Sequence, residues 1–204
     1  MKKLLGFSIF LVFVLIASLT AEAKVTLPAI FSDNMVLQQN TQVNVWGKAA
    51  PGEKVTVKAS WLDKAVTAKA AANGKWTVKL KTPKAITNQS VTVSGENEIT
   101  INNVLIGEVW LCTGQSNMEF PVSRHPDVKW NTGMLNEVEE LKDADYPEIR
   151  LFHVKHQLAH EGELDDCEGE WLVCNPKNLY DFSAVGFVFG RKLYKELKMP
   201  VGLI

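Results

Sequence analysis

The stretch VWLCTGQSNMEF, Val109–Phe120, decides how the rest of the chain is read. Val109 to Cys112 continue an apolar run that begins with Val104, the composition of a strand covered on both faces in a parallel sheet. The run halts at Thr113-Gly114-Gln115, and Ser116 then stands among small polar neighbours. Two readings compete. Ser116 or Asn117 caps a helix that starts beyond the strand, as Ser and Asn do at such junctions. Alternatively, Ser116 is a nucleophile held at the carboxyl end of the strand, where α/β sheets gather their reactive groups.

The second reading has a physical basis. A turn containing Gly114 can lift the following residues clear of the sheet, because glycine tolerates backbone angles that others avoid. A helix beginning just after Ser116 aims free N–H groups and a positive dipole end at a developing oxyanion. One turn thus supplies a hydroxyl and one oxyanion donor, the backbone N–H of Ser116. The stretch is not a Gly-x-Ser-x-Gly elbow, since Met118 stands where the second glycine belongs.

Upstream, from Lys24 to about Leu105, the pattern has period two. "QVNVWG", "KVTVKASW", "KAVTAKAA", "KWTVKLK", "SVTVSG" and "ITINNVLIG" alternate apolar with polar residues, as strands with one wet face do. Ala50-Pro51-Gly52, Asn73-Gly74 and Ser94-Gly95-Glu96-Asn97 separate them. Asn-Gly between alternating runs predicts a hairpin. The expected architecture over 24–104 is a small antiparallel β-sandwich. Its tryptophans, Trp46, Trp61 and Trp76, are expected in the core, with stacking on sugar rings as the alternative.

Downstream, 105–204 reads as strand, helix, strand, helix, strand, the order of an α/β domain with a parallel sheet. A helix is expected near Thr132–Lys142 and a strand over "EIRLFHV". The clearest helix is "DFSAVGFVFGRKLYKELKMP", capped by Asp181 or Ser183 and stopped by Pro200. Val185, Val188, Phe189, Leu193 and Leu197 repeat along the side expected to be buried. "VGLI" opens a further strand at Ile204, so the segment is expected to be the first part of a longer three-layer, flavodoxin-like domain.

The N-terminus, "MKKLLGFSIFLVFVLIASLTAEA", joins two lysines to an apolar run and an Ala-x-Ala site. This predicts a signal peptide over 1–23, an exported protein of the periplasm or cell exterior, and no membrane attachment after cleavage. Across 204 residues, 46% are hydrophobic and 22% charged, with net charge −1. That is ordinary for a globular protein and gives no basic surface for nucleic acid. Export permits disulfides; Cys167 and Cys174 could pair, while Cys112 reads as a buried free thiol. No compact set of four zinc ligands occurs. His125 in "SRHPD" is expected on a loop. His153, His156 and His160 are expected to be solvated or core-lining, since His153 and His156 would point to opposite faces of a strand. Gln115, Asn117, Arg124 and Glu119 are close enough in sequence to Ser116 to line its pocket.

"IGEVWLCT" followed by "GQSNMEFPV" resembles the first block of the SGNH hydrolases, and more closely the sialate O-acetylesterase family of carbohydrate esterases. "LPAIFSDNMVLQQN", "VNVWGKAAPGEKVTV" and "FSAVGFVFGRKLYKELKMPVGLI" extend the similarity in order along the chain. The resemblance implies that Ser116 is the nucleophile, attacking an acetyl ester of a sugar without metal or organic cofactor. It also implies a glycine and an asparagine as further oxyanion donors and a histidine three residues after an aspartate as the base. No Asp-x-x-His occurs in this sequence. An acetylxylan or other polysaccharide esterase is an alternative. So is a non-catalytic carbohydrate-binding module built on the sandwich.

Overall fold

The computed structural model describes residues 24–124, 133–160 and 162–204. The expected signal peptide and the expected loop position of His125 lie outside them.

The chain folds as β1 (Val36–Gln38), β2 (Gln42–Lys48), β3 (Lys54–Ala59), β4 (Val66–Lys69), β5 (Lys75–Lys81), β6 (Ile86–Ser94) and β7 (Glu98–Trp110). Then follow α1 (Ser116–Glu119), α2 (Glu137–Lys142), β8 (Tyr146–Phe152), β9 (Trp171–Cys174), α3 (Pro176–Leu179), α4 (Ala184–Leu197) and β10 (Val201–Leu203). The period-two runs are strands with alternating burial. In β5, Trp76, Val78 and Leu80 point inward while Lys75, Thr77, Lys79 and Lys81 face out. In β3, Val55, Val57 and Ala59 do the same.

Two sheets result. One is the antiparallel pair β2–β5, in register from Gln42 opposite Lys81 to Lys48 opposite Lys75. The other runs β4-β3-β6-β7-β10-β8-β9, with β1 also on β7. Their inner faces share one hydrophobic core that includes Val45, Val57, Leu80, Val91 and Ile101. The Asn73-Gly74 turn has the left-handed glycine expected of it, at φ +76°. It does not close a hairpin, however. β4 pairs with β3 and β5 with β2, so the turn carries the chain from one sheet to the other. Ser94 to Glu98 closes the genuine hairpin, between β6 and β7.

β7 runs unbroken through Val104 and Leu105, where the sequence pattern changes. Its first part pairs antiparallel with β6. Its later residues pair in parallel with β1 over Leu105–Gly107 and with β10 over Glu108–Trp110. The change of pattern therefore marks a change of partner along one strand. β10 lies between β7 and β8 and is parallel to both.

On one face of this parallel part, α4 builds a second core from Phe187, Ala184, Ile149, Leu151, Val201 and Leu203. On the other, Phe152 and Trp171 join the first core, with the Trp171 indole N–H donating to Ile30 O at 2.8 Å. Ser183 caps α4 by accepting from Gly186 N at 3.1 Å, one of the two expected caps. The buried side of α4 differs from the expected one. Ala184, Gly186, Phe187 and Gly190 face the sheet, while Val185, Val188, Phe189 and Leu197 are exposed. The cause is close approach: a methyl group on Gly190 would collide with the Leu203 side chain. Two glycines, silent in a hydrophobic pattern, set the contact stripe. The end of β7 is likewise less covered than expected, with Leu111 69% exposed and Trp110 stacked edge-on against Phe189.

Candidate active site

β7, β8 and β10 are parallel in the sheet, so their carboxyl ends open on one side. The chain leaving β7 is anchored there: Ile204 N donates to Trp110 O at 2.9 Å, and Cys112 N donates to Ile204 O at 2.6 Å. Thr113 and Gly114 continue without regular structure, and α1 begins at Ser116. Gly114 is not in the left-handed region, contrary to the expected use of its backbone freedom. Its contribution is close packing, since an added methyl would sit 3.3 Å from Met118 Cβ.

Gln115 stands at the cap position of α1 with extended backbone angles, and no side chain caps the helix. Ser116 is thus the first helical residue and is not spent on capping. It is exposed, and no hydrogen bond to its side chain is found among the described residues. α1 is pinned to the start of α4: Ala184 N donates to Phe120 O at 2.8 Å, Val122 N to Phe182 O at 3.0 Å, and Ser183 Oγ lies 3.6 Å from Met118 Sδ.

Between these elements lies a cleft of about 490 Å³. Ser116, Gln115 and Glu119 line it from the serine turn, His153 and His156 from the segment after β8, and Asp181 from the approach to α4. Asn117 and Arg124, both expected in the pocket, do not line it. Arg124 is held elsewhere, its N–H donating to Glu137 at 2.7 Å and its carbonyl accepting from the Tyr180 hydroxyl at 2.7 Å. His153 and His156 were expected on opposite faces of a strand. β8 ends at Phe152, so both fall on irregular chain and reach the same cleft. His156 Nε2 lies 3.0 Å from Glu119 Oε1, and the His153 ring meets Phe182 edge-on. From the sequence Asp181 is expected only as a possible helix cap; nothing in its sequence context separates a capping aspartate from one facing a cleft.

The three cysteines are free. Cys167 packs against the first core and Cys174 is buried in the second, so they do not pair. Burial pushes the Cys112 thiol up, which suppresses its thiolate beside the exposed Ser116 hydroxyl.

No family model matches the chain. It is 32% identical over 196 residues to the sialate O-acetylesterase of Mus musculus and 30% identical over 192 residues to that of Homo sapiens. The matches take in 86% and 85% of this chain and 34% and 35% of those proteins. The chain therefore spans about a third of the length of the curated relatives it matches. Among solved structures, a carbohydrate acetylesterase from Xanthomonas citri superposes with a TM-score of 0.78 at 30% identity. That superposition covers 88% of this chain and 39% of the other. The family resemblance read from the sequence is shown by these matches.

Proposed function

We propose that this relative of the sialate O-acetylesterases is a serine esterase that removes O-acetyl groups from sugars outside the cytoplasm. One observation carries the reading: Ser116 is exposed in a cleft at the carboxyl ends of parallel strands, at the first position of a helix whose cap is another residue. Its Oγ attacks the acetyl carbonyl, and the backbone N–H of Ser116 is one donor to the oxyanion that forms. Collapse of the tetrahedral intermediate breaks the ester C–O bond, and the sugar hydroxyl leaves with a proton. Water then attacks the acetyl-enzyme, releasing acetate and restoring Ser116.

A serine hydroxyl is a weak nucleophile until a base takes its proton. His156 is engaged by Glu119, and neither His153 nor His156 is hydrogen-bonded to Ser116 among the described residues. Following the family resemblance, the base is the histidine of an Asp-x-x-His segment, which these 204 residues do not contain. On the same resemblance, residues 24–104 form a β-sandwich domain and 105–204 the first part of an SGNH-type α/β domain. Residues 1–23, with their two lysines, apolar run and Ala-x-Ala site, support export. O-acetylated sialic acid is the first candidate substrate and acetylated plant polysaccharide the second.

The test is hydrolysis of p-nitrophenyl acetate. These 204 residues alone turn it over slowly. In a longer polypeptide that includes the Asp-x-x-His segment, Ser116→Ala lowers kcat by roughly 10³-fold or more. Activity unchanged by Ser116→Ala overturns the reading. Full-rate hydrolysis by the 204 residues alone moves the base to His153 or His156.

A further inference from the structure

The Ser116 cleft does not end at its own walls. Phe152, Val154 and Ile204 are shared with a neighbouring hollow of about 530 Å³. That hollow in turn shares Pro28, Trp46, Asp165 and Asp166 with a third, of about 360 Å³, on the β2–β5 sheet. The three form one trough from the serine turn to the outer sheet.

The far end is furnished differently from the middle. Trp46 was expected in the core, yet it is 40% exposed, and Phe31 braces it edge-on at a ring separation of 4.6 Å. Beside it, Lys48 and Lys75 converge on one carboxylate, Asp165, at 3.0 and 2.6 Å. This convergence holds both ammonium groups beside the hollow and ties the segment after β8 to the outer sheet. Each ammonium carries three N–H donors, more than one contact to Asp165 uses. A fixed aromatic plane with a rim of oriented donors and an acceptor matches a pyranose, whose C–H face is apolar and whose edge is hydroxylated.

We infer that the Trp46 hollow is a second sugar subsite, holding a pyranose unit of the same glycan whose acetyl ester lies at Ser116. This rests on the reading of the Ser116 cleft as the place of the ester. It makes the preferred substrate an oligosaccharide rather than a free acetylated monosaccharide.

Titration calorimetry on the full chain tests it without turnover. The probes are 3′-sialyllactose and xylotriose, neither O-acetylated, with free N-acetylneuraminic acid and xylose as their single-ring controls. At least one trisaccharide binds tenfold or more tightly than its control, and which one does so identifies the class of glycan. Trp46→Ala removes that advantage, and the double change Lys48→Ala with Lys75→Ala reduces it at least threefold. The lysines are exposed, so the double variant decides the matter if Trp46→Ala does not fold. Equal affinity for one ring and three overturns the inference, as does trisaccharide affinity unchanged by both variants. The esterase reading fails separately: p-nitrophenyl acetate hydrolysis that survives Ser116→Ala removes it and leaves a Trp46-dependent trisaccharide result standing.

Discussion

Cys174 sits in the second core with its thiol pushed up to about 12 by burial. At pH 8 its thiolate fraction is then about one in ten thousand, too small for appreciable alkylation. Cys167 is pushed up as well, by burial and by Asp166, but it is partly exposed. Iodoacetamide followed by peptide mass spectrometry is therefore expected to label Cys167 first and to leave Cys174 untouched until urea is added. Labelling of Cys174 at the Cys167 rate in the native protein contradicts this packing. The residues of the candidate site were unequally legible in the sequence. Ser116 drew attention because an apolar strand stops abruptly against a glycine and small polar groups. That pattern left a helix cap open, and the family resemblance favoured the nucleophile. His153, His156 and Asp181 did not, because their convergence depends on where β8 ends and on how α4 is approached, which local pattern does not encode. Trp46 departs from its expected place in the core for a related reason: alternation fixes which face of a strand a residue takes, but not how far the opposing layer extends to cover it.

α4 and α2 are joined by Arg191 and Glu140, whose guanidinium and carboxylate make two hydrogen bonds, one of 3.1 Å. Their side chains are only 21% and 11% exposed, so solvent screens the pair weakly. Arg191 also lies 4.9 Å from the centroid of the Phe187 ring. Hydrogen bonds from Arg191 hold the Glu140 carboxyl below its ordinary value despite the opposing effect of burial. A lowered folded-state value means that the unfolded chain binds the proton more readily. The stabilisation is accordingly complete above the ordinary carboxylate range and is lost as pH falls through the lowered value. Glu140→Gln is expected to cost roughly 1–3 kcal/mol at pH 7. In urea titrations the gap between parent and variant should narrow below about pH 4; a gap that is constant from pH 7 to pH 3 contradicts the assignment. The helix itself was legible from its cap and its terminal proline, whereas its buried side was not. Gly186 and Gly190 create the contact by lacking a side chain, and a pattern that counts apolar side chains passes over them.

At the scale of the molecule, β7 belongs to both the antiparallel and the parallel part of one sheet. Gly107 lies at the handover, where an added methyl would land on the carbonyl of Pro200 and push β10 away from β7. Gly107→Ala is expected to destabilise the fold by roughly 2 kcal/mol or more, read from the urea midpoint. A variant as stable as the parent contradicts so close an approach. The two grammars of the sequence, period-two runs and then strand–helix alternation, correctly foretold two kinds of pairing. They could not reveal that a single strand carries both, because pairing partners lie far apart along the chain. That sharing has a consequence for biosynthesis. β8 joins β7 only through β10, which leaves the ribosome some ninety residues later than β7. At about 5–20 residues per second, the open edge of a nascent hydrophobic strand waits roughly 5–20 s for its neighbour. Throughout that interval the unpaired edge of β7 is a template on which a sister chain can pair in place of β10.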